Sequence, residues 1–102
     1  YGVAHGFACA IFLPAVVRFN ARSIDGQFRD LLRVLNLSTI EAFADKVDSF
    51  MEKLKAPRRL SKLGLKAEDI PGIAKRGVGR STAWNPRPMT EEDIIQICKT
   101  IL

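Results

Sequence analysis

Residues 7–17 read FACAIFLPAVV, the longest apolar run in a chain of 102 residues, and no other stretch constrains the fold as strongly. The run is short of the roughly 20 apolar residues that a membrane span needs, and Pro14 interrupts it, so a protein neighbour has to cover it. The spacing of Ala4, Phe7, Ala8, Ile11 and Phe12 predicts a helix beginning near Val3. Pro14 has no backbone donor, so a kink or restart is expected there, with the second half ending near Asn20. A helix apolar on nearly every side up to its proline is expected to be central and buried. No basic segment precedes it, which argues against a signal peptide.

Beyond Asn20 the chain alternates amphipathic helix with turn chemistry. Ser23-Ile24-Asp25-Gly26 reads as a turn. Phe28, Leu31, Leu32 and Leu35 then form a helical stripe, punctuated by Asn36 and by Ser38. Ser38 with Glu41 three residues on has the form of a capping box. Ile40, Phe43, Ala44, Val47, Phe50, Met51 and Leu54 hold the three-four spacing of the clearest helix, which ends before Pro57. Residues 60–65 suggest a short helical turn stopped by Gly64. Lys66-Ala67-Glu68-Asp69 opens a further helix with acids in its first turn, and Gly77 and Gly79 end it. Residues 80–89 read as a loop. Thr90 with Asp93 caps a final helix with Ile94, Ile95, Cys98, Ile101 and Leu102 as its apolar side. There is no strong strand candidate, so the fold class is all-α, a bundle of five to seven helices in a single domain, 1–102.

Hydrophobic residues at 47% and charged residues at 26% fit a globular protein and exclude disorder. The net charge of +5 permits an anionic partner. The basic residues are dispersed, however, and the densest group, Lys53, Lys55, Arg58, Arg59 and Lys62, reads as a solvated helix end. Cys9 and Cys98 make no disulfide framework; both sit in apolar segments, and buried reduced thiols of a cytoplasmic protein are the expectation. The chain starts with Tyr1 inside an element, as a fragment of a longer protein would.

The chemistry-bearing residues are few. His5, the single histidine, and Cys9 lie four apart, so on a helix both side chains face one point in space. A closed tetrahedral metal site needs four ligands, which these two do not supply, and the neighbours of Cys9 favour a packed thiol over a ligand. No third residue suggests a nucleophile–base set. Gly77-Val78-Gly79-Arg80-Ser81 follows a helix instead of opening one, which suits a helix end better than a phosphate loop. Trp84, in a basic loop, stacks on a base in one reading and plugs the domain's own core in the other.

The first stretch resembles a segment of the iron-containing (group III) alcohol dehydrogenases. The motifs that carry the likeness are His5-Gly6, Leu13-Pro14 and Phe19-Asn20, then residues 60–65 and Glu68-Asp69-Ile70-Pro71. Asn85-Pro86-Arg87-Pro88 with Thr90 and Glu92-Asp93-Ile94 completes the series, in the family's order along the whole chain. The resemblance implies the C-terminal portion of a dehydroquinate-synthase-like helical domain. In such enzymes an upstream α/β domain binds NAD or NADP, and a divalent metal, iron or zinc, is held at the interdomain cleft by an aspartate and three histidines. His5 matches the last of these histidines, and the remaining ligands would lie upstream.

The chemistry so implied is hydride transfer between a nicotinamide and a small alcohol or aldehyde, with the metal as Lewis acid. The resemblance also places Gly6, Phe7, Arg80 and Trp84 beside the metal or the substrate cleft, with Arg80 suited to an anionic substrate. The wording His5-Gly6-Phe7-Ala8-Cys9-Ala10 is similar to members acting on phosphonoacetaldehyde; a plain short-chain alcohol is the other candidate. The implied protein is a cytoplasmic homodimer with no nucleic-acid or membrane partner, and this piece alone is inactive. The competing reading is a small basic helical binding module, marked by salt-dependent binding to nucleic acid.

Overall fold

The computed structural model describes residues 1–24 and 26–102; at position 25 the helical backbone alone is described. Five α-helices follow one another: α1 (His5–Val34), α2 (Ile40–Lys53), α3 (Ile70–Gly77), α4 (Arg80–Ala83) and α5 (Glu91–Thr100). Two 3-10 turns, Leu60–Leu63 and Ala67–Asp69, lie between α2 and α3, and the described residues contain no strand. The all-α reading holds.

The spine is α1, and it departs from the expected plan. One helix of 30 residues runs through both Pro14 and residues 23–26, where a restart and a turn were expected. The reason is burial. Val17, Ala21, Ile24 and Leu32 are buried on one side, with Phe28 packed against the same cluster, so the apolar stripe crosses the Ser-Ile-Asp-Gly segment unbroken. A glycine in a helix interior costs about 1 kcal/mol and a proline about 3. Burying one side chain of the size of Ile24 stabilises by roughly 1.5–3 kcal/mol, so the tertiary term wins.

Two clusters are strung along this spine. Near its start, Ile11 packs with Leu60, Leu65, Ile70, Ala74, Ile94 and Cys98 from the 3-10 turn, α3 and α5. Further on, Val17, Ala21, Ile24 and Leu32 pack with Ile40 and Ala44 of α2, where the Phe28 and Phe43 rings meet edge-on at 6.1 Å. The body measures 40 × 31 × 19 Å with a radius of gyration of 14.1 Å, against about 13 Å for a compact chain of this length. Such a flat slab cannot surround α1. Phe7 and Leu13 are half exposed, so the expectation of a central helix buried on all sides is not met.

The continuous helix also overturns the length argument against a membrane span. His5–Ile24 is long and apolar enough to cross a membrane, a test that the core helix of a water-soluble protein passes as well. Here Ile11, Val17, Asn20, Ala21 and Ile24 face protein.

The helix ends follow local rules closely. Asn36 takes a left-handed φ of 55° and closes α1, with Leu37 N–H donating to the Leu32 carbonyl at 2.8 Å. Thr39, not Ser38, caps α2: its hydroxyl accepts from Ala42 N–H at 3.1 Å, because Ile40, almost fully buried, is the first helical residue. Gly64 stops the first 3-10 turn at φ 84°, a conformation that a side chain strains. On the predicted stripe of α2, Phe50 and Leu54 are exposed although Ile40, Ala44 and Met51 are buried. On α5, Ile97 is buried as well as the expected Ile94 and Cys98. Residues 80–83, expected as loop, form the single turn α4, where the Thr82 hydroxyl accepts from Gly79 N–H at 2.8 Å.

At α5 the expected box is present. Thr90 N–H donates to Asp93 Oδ2 at 2.9 Å, and Asp93 N–H donates to Thr90 Oγ1 at 3.2 Å. The Thr90 backbone N–H, and then its hydroxyl, hold the Asp93 carboxyl below its ordinary pKa. That contribution is complete above the unfolded carboxyl value, about 3.9, and is lost as pH falls through the lower folded value. Thr90→Ala is expected to destabilise by about 1 kcal/mol, read as a lower denaturation midpoint at unchanged slope. An unchanged midpoint would mean that α5 is held by packing alone.

Candidate metal centre

His5 is the first residue of α1. Ala4 precedes it without a side-chain cap, so no cap side chain satisfies the first-turn backbone N–H groups. The imidazole is exposed, and Nε2 lies 3.4 Å from Cys9 Sγ one turn along. A helical side chain leans toward the N-terminus of its helix, which is why the thiol reaches back to the ring. Cys9 is therefore exposed, and the packed thiol expected at this position is wrong; Cys98 is the buried one. The composition around Cys9 is apolar on every side, but the cluster takes Ile11 and leaves Cys9 on the outer face. Burial pushes the Cys98 thiol up from its ordinary pKa.

Gly6 and Phe7 stand beside His5 in the same exposed first turn. A Cβ at Gly6 would meet no heavy atom within 4 Å, so any group that its lack of a side chain spares is not among the described residues. Among the described residues no group of three or more histidine, cysteine or acidic side chains converges on one point. His5 and Cys9 are thus a pair of neighbouring donor-type side chains, and the described residues form no closed metal site around them.

Arg80 opens α4, and Trp84 follows its last residue. Both are exposed at α4, and among the described residues no hydrogen bond or ion pair joins either to His5. Trp84 is 84% exposed, which removes the reading of a core plug. What fixes this segment is a contact that the sequence motifs do not announce. Asn20 Nδ2 donates to Asn85 Oδ1 at 2.9 Å, and the Asn85 amide donates back to Asn20 Oδ1. The Arg87 guanidinium lies 4.0 Å from the centroid of the Phe19 ring and donates to the Phe19 carbonyl at 3.3 Å. So Phe19-Asn20 and Asn85-Pro86-Arg87-Pro88, 65 residues apart, clasp one another. Asn20 sits about 22 Å along α1 from His5, at 1.5 Å per residue.

Two hollows flank the spine. A groove of about 790 Å³ between α1, α2 and α5 is lined by Arg18, Arg58, Arg59, Arg87, Asp48 and Asp93, among others, and lies away from His5. Its arginines are engaged. Arg18 pairs with Asp45 at 2.7 Å and with Asp48 at 2.8 Å, and Asp48 above all raises its pKa. Arg58 reaches Asp48 and Glu52, and Arg59 donates to the Thr100 carbonyl. A smaller apolar hollow of about 300 Å³, lined by Tyr1, Val3, Ala8, Phe12, Leu63 and Ile73, opens beside the start of α1.

An exposed histidine heads a long helical spine, and two motifs 65 residues apart clasp one another beyond it. Residues 1–102 match the Fe-containing alcohol dehydrogenase family, C-terminal, over their whole length, and the chain belongs to that family. It is 33% identical over 109 aligned residues to a lactaldehyde reductase of Escherichia coli (strain K12), covering 98% of this chain and 28% of that protein. It is 32% identical to a 1,3-propanediol dehydrogenase of Klebsiella pneumoniae, covering 95% of this chain and 27% of that one. With an NADPH-dependent butanol dehydrogenase of Clostridium saccharobutylicum the identity is 21%, over 99% of this chain and 29% of the relative. The chain spans under a third of the length of each, at 27–29%.

Proposed function

We propose that this chain is the metal-binding helical part of an NAD(P)-dependent alcohol dehydrogenase or aldehyde reductase, with His5 as one ligand of a divalent metal. The observation that carries the reading is the position of His5: an exposed imidazole, paired with no acidic side chain among the described residues, at the head of a chain that matches the family from end to end. An imidazole nitrogen suits iron or zinc, so the donor fits the group. When bound, the metal supplies Lewis acidity toward the oxygen of an alcohol or carbonyl.

The other roles belong to this chain's own residues. The core around Ile11 fixes the first turns of α1, and with them the imidazole, against α3 and α5. Gly6 and Phe7 border the site from that same turn. Arg80 and Trp84, held on α4 by the Asn20–Asn85 clasp, are the side chains offered to a substrate, with Arg80 suited to an anionic one such as phosphonoacetaldehyde. Small alcohols and aldehydes of the kind named for the relatives, lactaldehyde among them, are the substrate class. The nicotinamide, NAD or NADP, would be bound by residues outside this chain. The protein works in the cytoplasm, as a dimer. Neither nucleic acid nor membrane is a partner in this reading; the ion-paired groove arginines and the burial of one side of α1 support it.

The test is chelation of the full-length protein, followed by return of iron(II) or zinc. NAD(P)H-linked reduction of lactaldehyde, short aldehydes and phosphonoacetaldehyde should fall by more than about 100-fold on stripping and recover with metal. Turnover indifferent to the chelator would overturn the reading.

A further inference from the structure

We propose that the groove between α1, α2 and α5 is a binding site for a linear organic dicarboxylate, independent of His5. At about 790 Å³ the groove has the size of a small-molecule site, and neither His5 nor Cys9 lines it. Ala10, Pro14 and Ala15 turn small side chains toward it, so α1 leaves room between Met51 of α2 and Ile97 of α5. The floor is therefore apolar, and the charge lies around it.

Four guanidinium groups, those of Arg18, Arg58, Arg59 and Arg87, face two carboxylates, Asp48 and Asp93. The positive excess is not spread evenly. Arg18 pairs with Asp45 and Asp48, and Arg58 with Asp48 and Glu52. Among the described residues no acidic side chain pairs with Arg59 or Arg87. Each is tethered by one N–H to a backbone carbonyl, Arg59 to Thr100 at 3.0 Å and Arg87 to Phe19 at 3.3 Å. A guanidinium carries five N–H donors, so both keep donors for a ligand. The tethers also fix the two side chains beforehand, which lowers the entropy lost on binding.

The spacing of these two arginines selects the ligand. Arg59 is held at Thr100, the last residue of α5. Arg87 lies in the segment leading into that helix, whose first turn brings Asp93 to the same groove. Between Asp93 and Thr100 the helix rises about 10 Å, at 1.5 Å per residue. A guanidinium fork matches a carboxylate bidentately. Two carboxylates about 10 Å apart on an unbranched hydrocarbon chain meet both forks and lay the chain on the apolar floor. The groove's own carboxylates are already committed: Asp48 to Arg18 and Arg58, and Asp93 Oδ2 to the backbone N–H and hydroxyl of Thr90.

Calorimetric titration of the full-length protein with suberate tests this, beside octanoate and octanamide, which keep the chain length and remove one or both charges. Suberate should bind tightest and octanamide weakest, with affinity falling as salt is added. Arg59→Gln should weaken suberate by about 10-fold or more. Arg59 is exposed and glutamine retains a donor for the Thr100 carbonyl, so that variant should fold. Gln96→Glu sets a further carboxylate on the exposed groove wall and should weaken suberate as well. His5→Ala should leave suberate binding unchanged. No binding by wild type, or equal binding by Arg59→Gln and Gln96→Glu, overturns the site. Suberate lost on His5→Ala would place the ligand at the metal centre and overturn it equally.

Discussion

Replacing His5 by alanine in the full-length protein should remove the metal and lower NAD(P)H-linked turnover by more than about 100-fold, while leaving thermal stability almost unchanged. Losing a partner that only supports a ligand typically costs 10–100-fold in metal affinity or activity, and a ligand itself should exceed that. The stability side of the prediction separates it from a structural role. The imidazole is exposed and its one side-chain contact is the Cys9 thiol. Surface substitutions of this kind usually shift stability by no more than about 0.5 kcal/mol. Metal content by atomic emission, turnover and a melting curve on the same preparation decide between the two. Retained metal with normal turnover would end the assignment of His5. A large drop in melting temperature would mean that the residue holds the start of α1 together.

The outcome at Cys9 and along α1 shows which part of the fold was legible in the sequence. Local rules were readable wherever local chemistry decides: the Thr90–Asp93 box, the Gly64 stop, the acid-rich opening at Glu68 and Asp69, and Asn36 after α1. They failed where burial overrides them. Ser23, Asp25 and Gly26 carry turn chemistry, yet the stripe of Val17, Ala21, Ile24, Phe28 and Leu32 runs past them at intervals of three and four, and the stripe decides. The same periodicity, followed through from residue 17 to 32, would have found the long helix.

Cys9 was misplaced because apolar neighbours in sequence do not say which side of a helix meets the core. Ile11, two residues on, points inward, so Cys9 points out toward His5. His5 itself was singled out by its rarity and by the family resemblance, and spacing alone left its role open. Of the two readings that the sequence left open for Trp84, its exposure removes the core plug. The pairing of the two asparagines was not readable at all, since no local pattern links positions 65 apart.

That pairing carries the second large effect. Asn85→Ala is expected to destabilise the protein by about 1–3 kcal/mol, the cost of leaving a buried amide without its partner. Asn20 is the one buried polar residue of the described chain, 7% exposed, and both its amide groups are matched by Asn85. The flanking Arg87–Phe19 contact belongs to the same clasp. The effect should be coupled. Once Asn20 is leucine, Asn85→Ala should cost markedly less, because the amide it would have orphaned is gone, and the double-mutant cycle should show an interaction of at least about 0.5 kcal/mol. Additive effects would mean that the two amides do not recognise each other. Function should follow stability here: the clasp is what holds α4 to the middle of α1. With it broken, KM for the aldehyde should rise while the metal at His5, about 22 Å away along the helix, stays bound. A loss of metal equal to that of His5→Ala would show instead that the clasp sustains the whole spine.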